Sequence, residues 1–183
     1  MTTPPLCCKP GPIYFRPLNL TTDLDLLHDW TNRPYSNRFW QMNGSKEALK
    51  ITYEQLLENP HVHSFIGMLG DEPIAQIDCY QIIADELGNH IKDVSPNDCG
   101  LHLLMQPPHR SRKNRSLDLL TAFINWYFSH PLAGNLYAEP DEQNKPALTL
   151  AERAGFTRLG TIRLTYKTAT LFCITRENQP ILT

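Results

Sequence analysis

Hydrophobic positions along the chain change period several times, and each change marks an element. Residues 1–12 hold four prolines and a glycine and show no period, so they predict an irregular lead-in. Residues 13–18 (IYFRPL) predict a first strand, with Pro17 placing it at an edge or an end. Residues 22–25 have the form of a capping box for a short helix that carries Leu24, Leu27 and Trp30, and Asn32-Arg33-Pro34 stops it. Residues 35–42 (YSNRFWQM) are aromatic and aperiodic. Ser45 is placed to cap a second helix, Lys46–Glu58, with Leu49, Tyr53, Leu56 and Leu57 as one apolar face.

The period then shortens. Residues 61–69 (HVHSFIGML) and 73–80 (PIAQIDCY), joined at Gly70-Asp71-Glu72, predict a hairpin. Residues 82–97 form a polar excursion long enough for a functional loop. Cys99–Met105 is the next strand. Residues 116–129 have Leu117, Leu120, Ile124 and Tyr127 at helical spacing. Leu119, Phe123, Trp126 and Phe128 cover the other faces, which predicts a largely buried helix. A short strand follows at 136–139. A helix over 144–154 has Ala147, Leu150, Ala151 and Ala154 on one side and stops at Gly155; a closing hairpin spans 156–164 and 168–175. The order β-α-α-β-β-β-α-β-α-β-β predicts an α/β (α+β) arrangement around a mixed sheet.

Composition narrows the class. A chain of 183 residues with 41% hydrophobic and 20% charged residues fits one globular domain with a real core. A formal charge of −2 argues against a nucleic-acid or membrane-surface partner, and no stretch approaches a transmembrane span. Without an apolar signal core at the start, the expected compartment is the cytoplasm and the five cysteines read as reduced thiols. Cys7 and Cys8 are adjacent, while Cys79, Cys99 and Cys173 sit in apolar runs that suit buried thiols better than ligands. His61-Val-His63 could pair on one strand face, but no third or fourth ligand accompanies them, so they read as structural and no metal is expected.

The candidate chemistry lies in residues 99–120 (CGLHLLMQPPHRSRKNRSLDLL). An apolar strand ends at a basic, proline-bounded loop that leads into a helix N-terminus. Unpaired N–H groups, a positive dipole end and Arg and Lys side chains together suit a phosphate-bearing ligand. Taken alone the loop would be a solvated charge run and His102 a satisfied core histidine. Arg110, Arg112, Lys113 and Arg115 within six residues exceed what solubility needs, and the forked donors of Arg suit phosphates.

That order, with a basic turn leading into a central helix and a late helix ending in Ala154-Gly155-Phe156, resembles the GNAT superfamily of acyl-CoA-dependent N-acyltransferases. Three further strings are similar to its siderophore-biosynthesis branch. They are Leu26-Leu27-His28-Asp29-Trp30-Thr31-Asn32-Arg33-Pro34 with Phe39-Trp40, then Gly100-Leu101-His102-Leu103-Leu104, then Glu139-Pro140-Asp141 with Asn144. The resemblance runs over about 15–176. It implies a GNAT acyltransferase domain at 13–176, between the lead-in and a tail at 177–183, with a mixed central sheet flanked by helices. It also implies acetyl-CoA, or another short acyl-CoA, as cosubstrate.

The acceptor implied by the resemblance is a small N-hydroxylated amine, N6-hydroxylysine or N-hydroxycadaverine or N-hydroxyputrescine, with other siderophore-pathway enzymes as partners. His102 becomes the general base, since histidine titrates near neutrality and must take the proton that becomes acidic as the new bond forms. Asp141 is either a helix cap or an acidic partner that orients His102 or binds the hydroxylamine. Leu103, Leu104, Asn114, Ser116 and Asn144 join the four cations as expected CoA contacts. Trp30 and Trp40 are expected substrate contacts, against the plainer reading of Trp30, Phe39 and Trp40 as core aromatics.

Two departures from the superfamily pattern matter. The phosphate loop usually reads Arg/Gln-x-x-Gly-x-Gly/Ala, whereas this chain has Ser111-Arg112-Lys113-Asn114-Arg115-Ser116, which shifts weight from a backbone cradle to side chains. Ala151 also stands where many members carry the tyrosine that protonates the leaving thiolate. The alternatives are a GNAT-fold acetyltransferase for another amine, such as an aminoglycoside 6′-amine, and a CoA-binding module without catalysis.

Overall fold

The computed structural model describes residues 13–107 and 115–180. In chain order its elements are β1 (Ile13–Pro17), α1 (Leu20–Thr31), α2 (Pro34–Trp40), α3 (Lys46–Glu58), β2 (Val62–Leu69) and β3 (Glu72–Gln81). Then come β4 (Cys99–Met105), α4 (Arg115–Ser129), β5 (Leu136–Ala138), α5 (Lys145–Arg153), β6 (Thr157–Arg163) and β7 (Thr168–Ile174). The strands form a seven-stranded sheet in the order β1-β2-β3-β4-β5-β7-β6. The β4–β5 pair is parallel while β1–β2, β5–β7 and β6–β7 are antiparallel, so the sheet is mixed, as the element order predicts.

The described residues group into two compact units, 13–78 with 102–107 and 79–101 with 115–180, whose boundaries fall inside β3 and β4. In the first unit, β1 pairs with β2 from Ile13↔Leu69 to Pro17↔Phe65. Its core gathers Leu18, Leu27, Leu49, Tyr53, Ile66 and Met68, and Leu20, Leu24 and Leu56 pack on it half-buried. The helix α1 starts earlier than the capping box at 22–25 suggests. Asn19 is the cap and accepts from Thr21 N at 2.9 Å. Asp23 turns inward instead, accepting two bonds from the Arg16 guanidinium at 2.7 Å and one from Asn19 N at 2.9 Å.

The aperiodic stretch at 35–42 is in large part helix. Pro34 does not merely stop α1: it occupies the first turn of α2, where its missing N–H costs nothing. Ser36 Oγ donates to Trp30 O at 2.6 Å and Thr31 O at 3.1 Å, closing the end of α1. In α3, Ser45 accepts from Ala48 N at 3.1 Å as expected, and Leu49 and Tyr53 are buried. Leu57, expected on that face, is exposed.

In the second unit, β5 pairs with β7 and β7 with β6, with a register shift between Arg158 and Gly160. The helix α4 buries Leu119, Leu120, Phe123, Ile124, Tyr127 and Phe128, the broad apolar coverage that its sequence predicts. Leu148 and Ala151 are the buried face of α5, and Gly155 at φ +94° ends it, with Phe156 N donating to Ala151 O at 3.0 Å. The 82–97 excursion is folded into short 3₁₀ turns at Ile82–Ala84 and Glu86–His90, and Glu86 accepts from Thr165 N and Oγ1 at 2.8 Å each. Cys79 and Cys99 are buried free thiols and Cys173 is half-buried. No helix among the described residues is long and apolar enough to cross a membrane.

Candidate active site

In the first unit β4 ends beside β3. Gln106 N donates to Ile74 O at 2.9 Å, and counting back along both strands from that pair sets His102 directly opposite Asp78. The second unit keeps the same count: Tyr80 falls opposite Gly100, and a Cβ on Gly100 would lie inside the Tyr80 ring. The glycine of Gly100-Leu101-His102 is thus required by the tyrosine that covers it.

His102 is half-buried and meets the Trp40 indole edge-on, with ring centroids 6.4 Å apart and planes at 81°. Asp78 is 4% exposed. Its Oδ1 accepts from Ser64 Oγ on β2 and from Gln76 Nε2 on its own strand, both at 2.5 Å. Burial pushes the Asp78 carboxyl up, opposed by the Ser64 bond, by the charge of His102 and by the Gln76 bond. Tyr53, on α3, is pushed up by its own burial and further by the Asp78 charge. The sequence reading assigned no role to Ser64, Gln76 or Asp78. Their signal was present, however: Gln76 and Asp78 are polar residues two apart, on one face of the apolar middle of β3.

Trp40 is half-buried beside His102, whereas Trp30 is buried to 3% exposure. Tyr35 reaches the end of β4, three residues beyond His102, its hydroxyl donating to Met105 O at 2.6 Å, and burial pushes its phenol up to about 12. Leu103 is half-buried and Leu104 buried.

In the second unit Asp141 sits in the turn after β5 and bridges Ala169 of β7. Its Oδ1 accepts from Gln143 N at 2.8 Å, and its carbonyl accepts from Asn144 N at 2.9 Å. Asn144 is the residue that caps α5, accepting from Ala147 N at 3.3 Å, so the plain helix-cap role belongs to Asn144 and not to Asp141. Nearby in the chain, Glu139 is buried and holds Tyr80 OH at 2.8 Å and Lys167 Nζ at 3.2 Å. Burial, followed by the Glu139 charge, holds the Tyr80 phenol well above its usual range. Sequence reasoning gave Glu139 a place in a motif but neither Tyr80 nor Lys167 a role; those partners lie 59 and 28 residues away along the chain.

Arg115 and Ser116 form the first positions of α4 and are half-buried. Arg110, Arg112, Lys113 and Asn114 lie outside the described residues, as do Cys7 and Cys8. The β4–β5 ladder covers only Cys99↔Leu136 and Gly100↔Tyr137, while β4 runs on to Met105. His61 is exposed and His63 half-buried, with burial pushing the His63 imidazole down. Among the described residues no three His, Cys, Asp or Glu side chains are grouped to hold a metal ion.

Residues 19–164 match the family model of the acetyltransferase (GNAT) domain. A curated relative, the N-hydroxyputrescine acetyltransferase of Acinetobacter baumannii, is 26% identical over 163 residues, covering 88% of this chain and 77% of the relative. The N(6)-hydroxylysine O-acetyltransferase of Escherichia coli is 33% identical over 91 residues, which is 50% of this chain and 29% of that protein. Among solved structures, the aminoglycoside acetyltransferase AAC(6')-Ib in complex with coenzyme A superposes with a TM-score of 0.81 at 24% identity, covering 91% of this chain and 96% of that one. That likeness is one of fold.

Proposed function

The chain belongs to the GNAT acetyltransferase family, and from that premise we propose that it acetylates the nitrogen of a small N-hydroxylated amine, N6-hydroxylysine or an N-hydroxydiamine, for hydroxamate siderophore synthesis. The observation that carries the reading is His102. It stands on β4 of the family's domain, half-buried, edge-on to Trp40 and opposite a buried acid. The names of the Acinetobacter and Escherichia relatives support the choice of acceptor.

Acetyl-CoA supplies the activated acyl group, and residues 13–176 act as one acyltransferase domain. The phosphates fall to Arg110, Arg112, Lys113 and Arg115, with Asn114, Ser116 and Asn144 as polar contacts. Arg115 and Ser116 stand at the N-terminus of α4, where main-chain N–H groups and the helix dipole favour an anion. The register that pairs His102 and Leu104 with β3 turns the main chain of Leu103 the other way, where its N–H can polarise a thioester carbonyl.

An alkylhydroxylamine is largely neutral near neutrality, so its nitrogen attacks without prior deprotonation. His102 takes the proton that becomes acidic as the N–C bond forms. The C–S bond breaks and that proton ends on the CoA sulfur, returned by His102 or by solvent, since Ala151 carries no acid. Trp40 and Trp30 of the first unit are assigned to the acceptor, as is Asp141 of the second.

The test is the product. Purified protein with acetyl-CoA and N-hydroxyputrescine is expected to release CoA thiol and form a hydroxamic acid, which gives a coloured ferric complex. An O-acetyl ester, which gives none, or CoA binding without turnover of any acceptor, contradicts the reading.

A further inference from the structure

The acetyl transfer set out above leaves Asp78, a buried acid of the first unit, without a task. Asp78 lies in the middle of β3, where Ile74, Ala75, Gln76 and Ile77 are fully buried. A carboxylate in such a place works against the fold unless it is hydrogen-bonded and faces a cation. The hydrogen bonds come from Ser64 and Gln76, and both go to Oδ1, which fixes the plane of the carboxylate. Directly across the strand pair stands His102, close enough for its charge to act on Asp78. Trp40 meets the imidazole edge-on, at 6.4 Å.

We propose that Asp78 is a positioning residue for His102, fixing the orientation and tautomer of the imidazole and stabilising the imidazolium that forms when the ring takes the acceptor's proton. The role resembles that of a buried carboxylate behind any histidine base: it takes no proton itself and touches no substrate. It rests on the reading of His102 as the base. The groups that face Asp78 are Ser64 from β2, Gln76 from β3, His102 from β4 and Tyr53 from α3. Of these, the Tyr53 phenol is pushed up by its burial and by the Asp78 charge.

The experiment is a double-mutant cycle with Asp78→Asn, His102→Asn and the double variant, read as kcat, KM for acetyl-CoA and pH profile. Asparagine keeps an oxygen to accept from Ser64 and Gln76, removes the charge and replaces the second carboxylate oxygen with an amide NH2. Asp78→Asn is expected to lower kcat roughly 10- to 100-fold with KM for acetyl-CoA little changed. The acidic limb of its kcat/KM profile is expected to move to lower pH, because the imidazolium loses its anionic neighbour. In the His102→Asn background the same substitution is expected to have almost no further effect. If Asp78→Asn keeps wild-type kcat while His102→Asn is impaired, or if the two losses multiply independently, the positioning role is overturned and the base stands. If His102→Asn keeps full activity, the base reading itself fails. Should Asp78→Asn not fold, ¹⁵N spectra of the wild-type imidazoles decide: one fixed neutral tautomer at His102 supports the proposal, and a solution-like mixture of tautomers contradicts it.

Discussion

In the proposed reaction His102 binds a proton only while the new bond forms, and its surroundings decide whether that is cheap. The residue itself was legible in the sequence, as the one polar side chain in an apolar strand before a basic loop. What faces it was not. Gln76 and Asp78 can be read as sharing a face of β3, but only the β3–β4 register says that Asp78 is opposite His102. Burial holds the Asp78 carboxyl above its ordinary value, so its ionisation opposes folding. The fold is then favoured most below the ordinary carboxylate range and loses that contribution as pH rises through the raised value. Asp78→Asn removes the penalty. Its Tm relative to wild type is expected to rise between about pH 4 and about pH 8, and an equal deficit at both ends contradicts this account. A variant that gains stability while losing turnover is the pattern of a group kept for function.

Among elements, the start of α1 shows the same interplay with the opposite sign. Burial pushes the Asp23 carboxyl up, but the Arg16 guanidinium and the Asn19 N–H outweigh it and hold it below its usual range. The contribution is present above the ordinary carboxylate range and is lost as pH falls through the lowered value. Asp23→Asn is expected to cost about 2 kcal/mol near neutrality, read as a lower urea midpoint, because it breaks the bidentate pair that ties β1 to α1. The cost should shrink in acid; a cost unchanged there would contradict the pairing.

Most elements were legible because their periods are unambiguous, as in α3 and α4. The helix α2 was not, since seven residues leave too few turns for a period and Pro34 reads equally as a stop. The inward turn of Asp23 was hidden for a related reason: a carboxylate near a helix start looks like a cap until its partner on another strand is known. Asn144, by contrast, caps α5 as a residue of its type should. The expected cost of Asn144→Ala is about 1 kcal/mol, measured as a fall in urea midpoint with α5 still formed.

At the scale of the whole molecule, the arrangement of strands and helices was readable from the order of periods, and the family from short strings at Trp30–Pro34, His102, Asp141 and Ala154–Phe156. The second unit was less legible at its centre. The Tyr80–Glu139–Lys167 network joins three distant positions, none of which announces the others. The family premise fixes the reaction as acetyl transfer to an amine; with His102 as the proposed base, the proposed acceptor is an amine that arrives neutral and yields its proton late. The most direct test is a comparison of kcat/KM with acetyl-CoA for N-hydroxyputrescine against putrescine and for N6-hydroxylysine against lysine, with kanamycin as a third class of acceptor. The hydroxylated member of at least one pair is expected to be preferred by about 100-fold or more, as in a site built to bind the extra hydroxyl. Equal rates within both pairs, or a preference for kanamycin, would contradict the account.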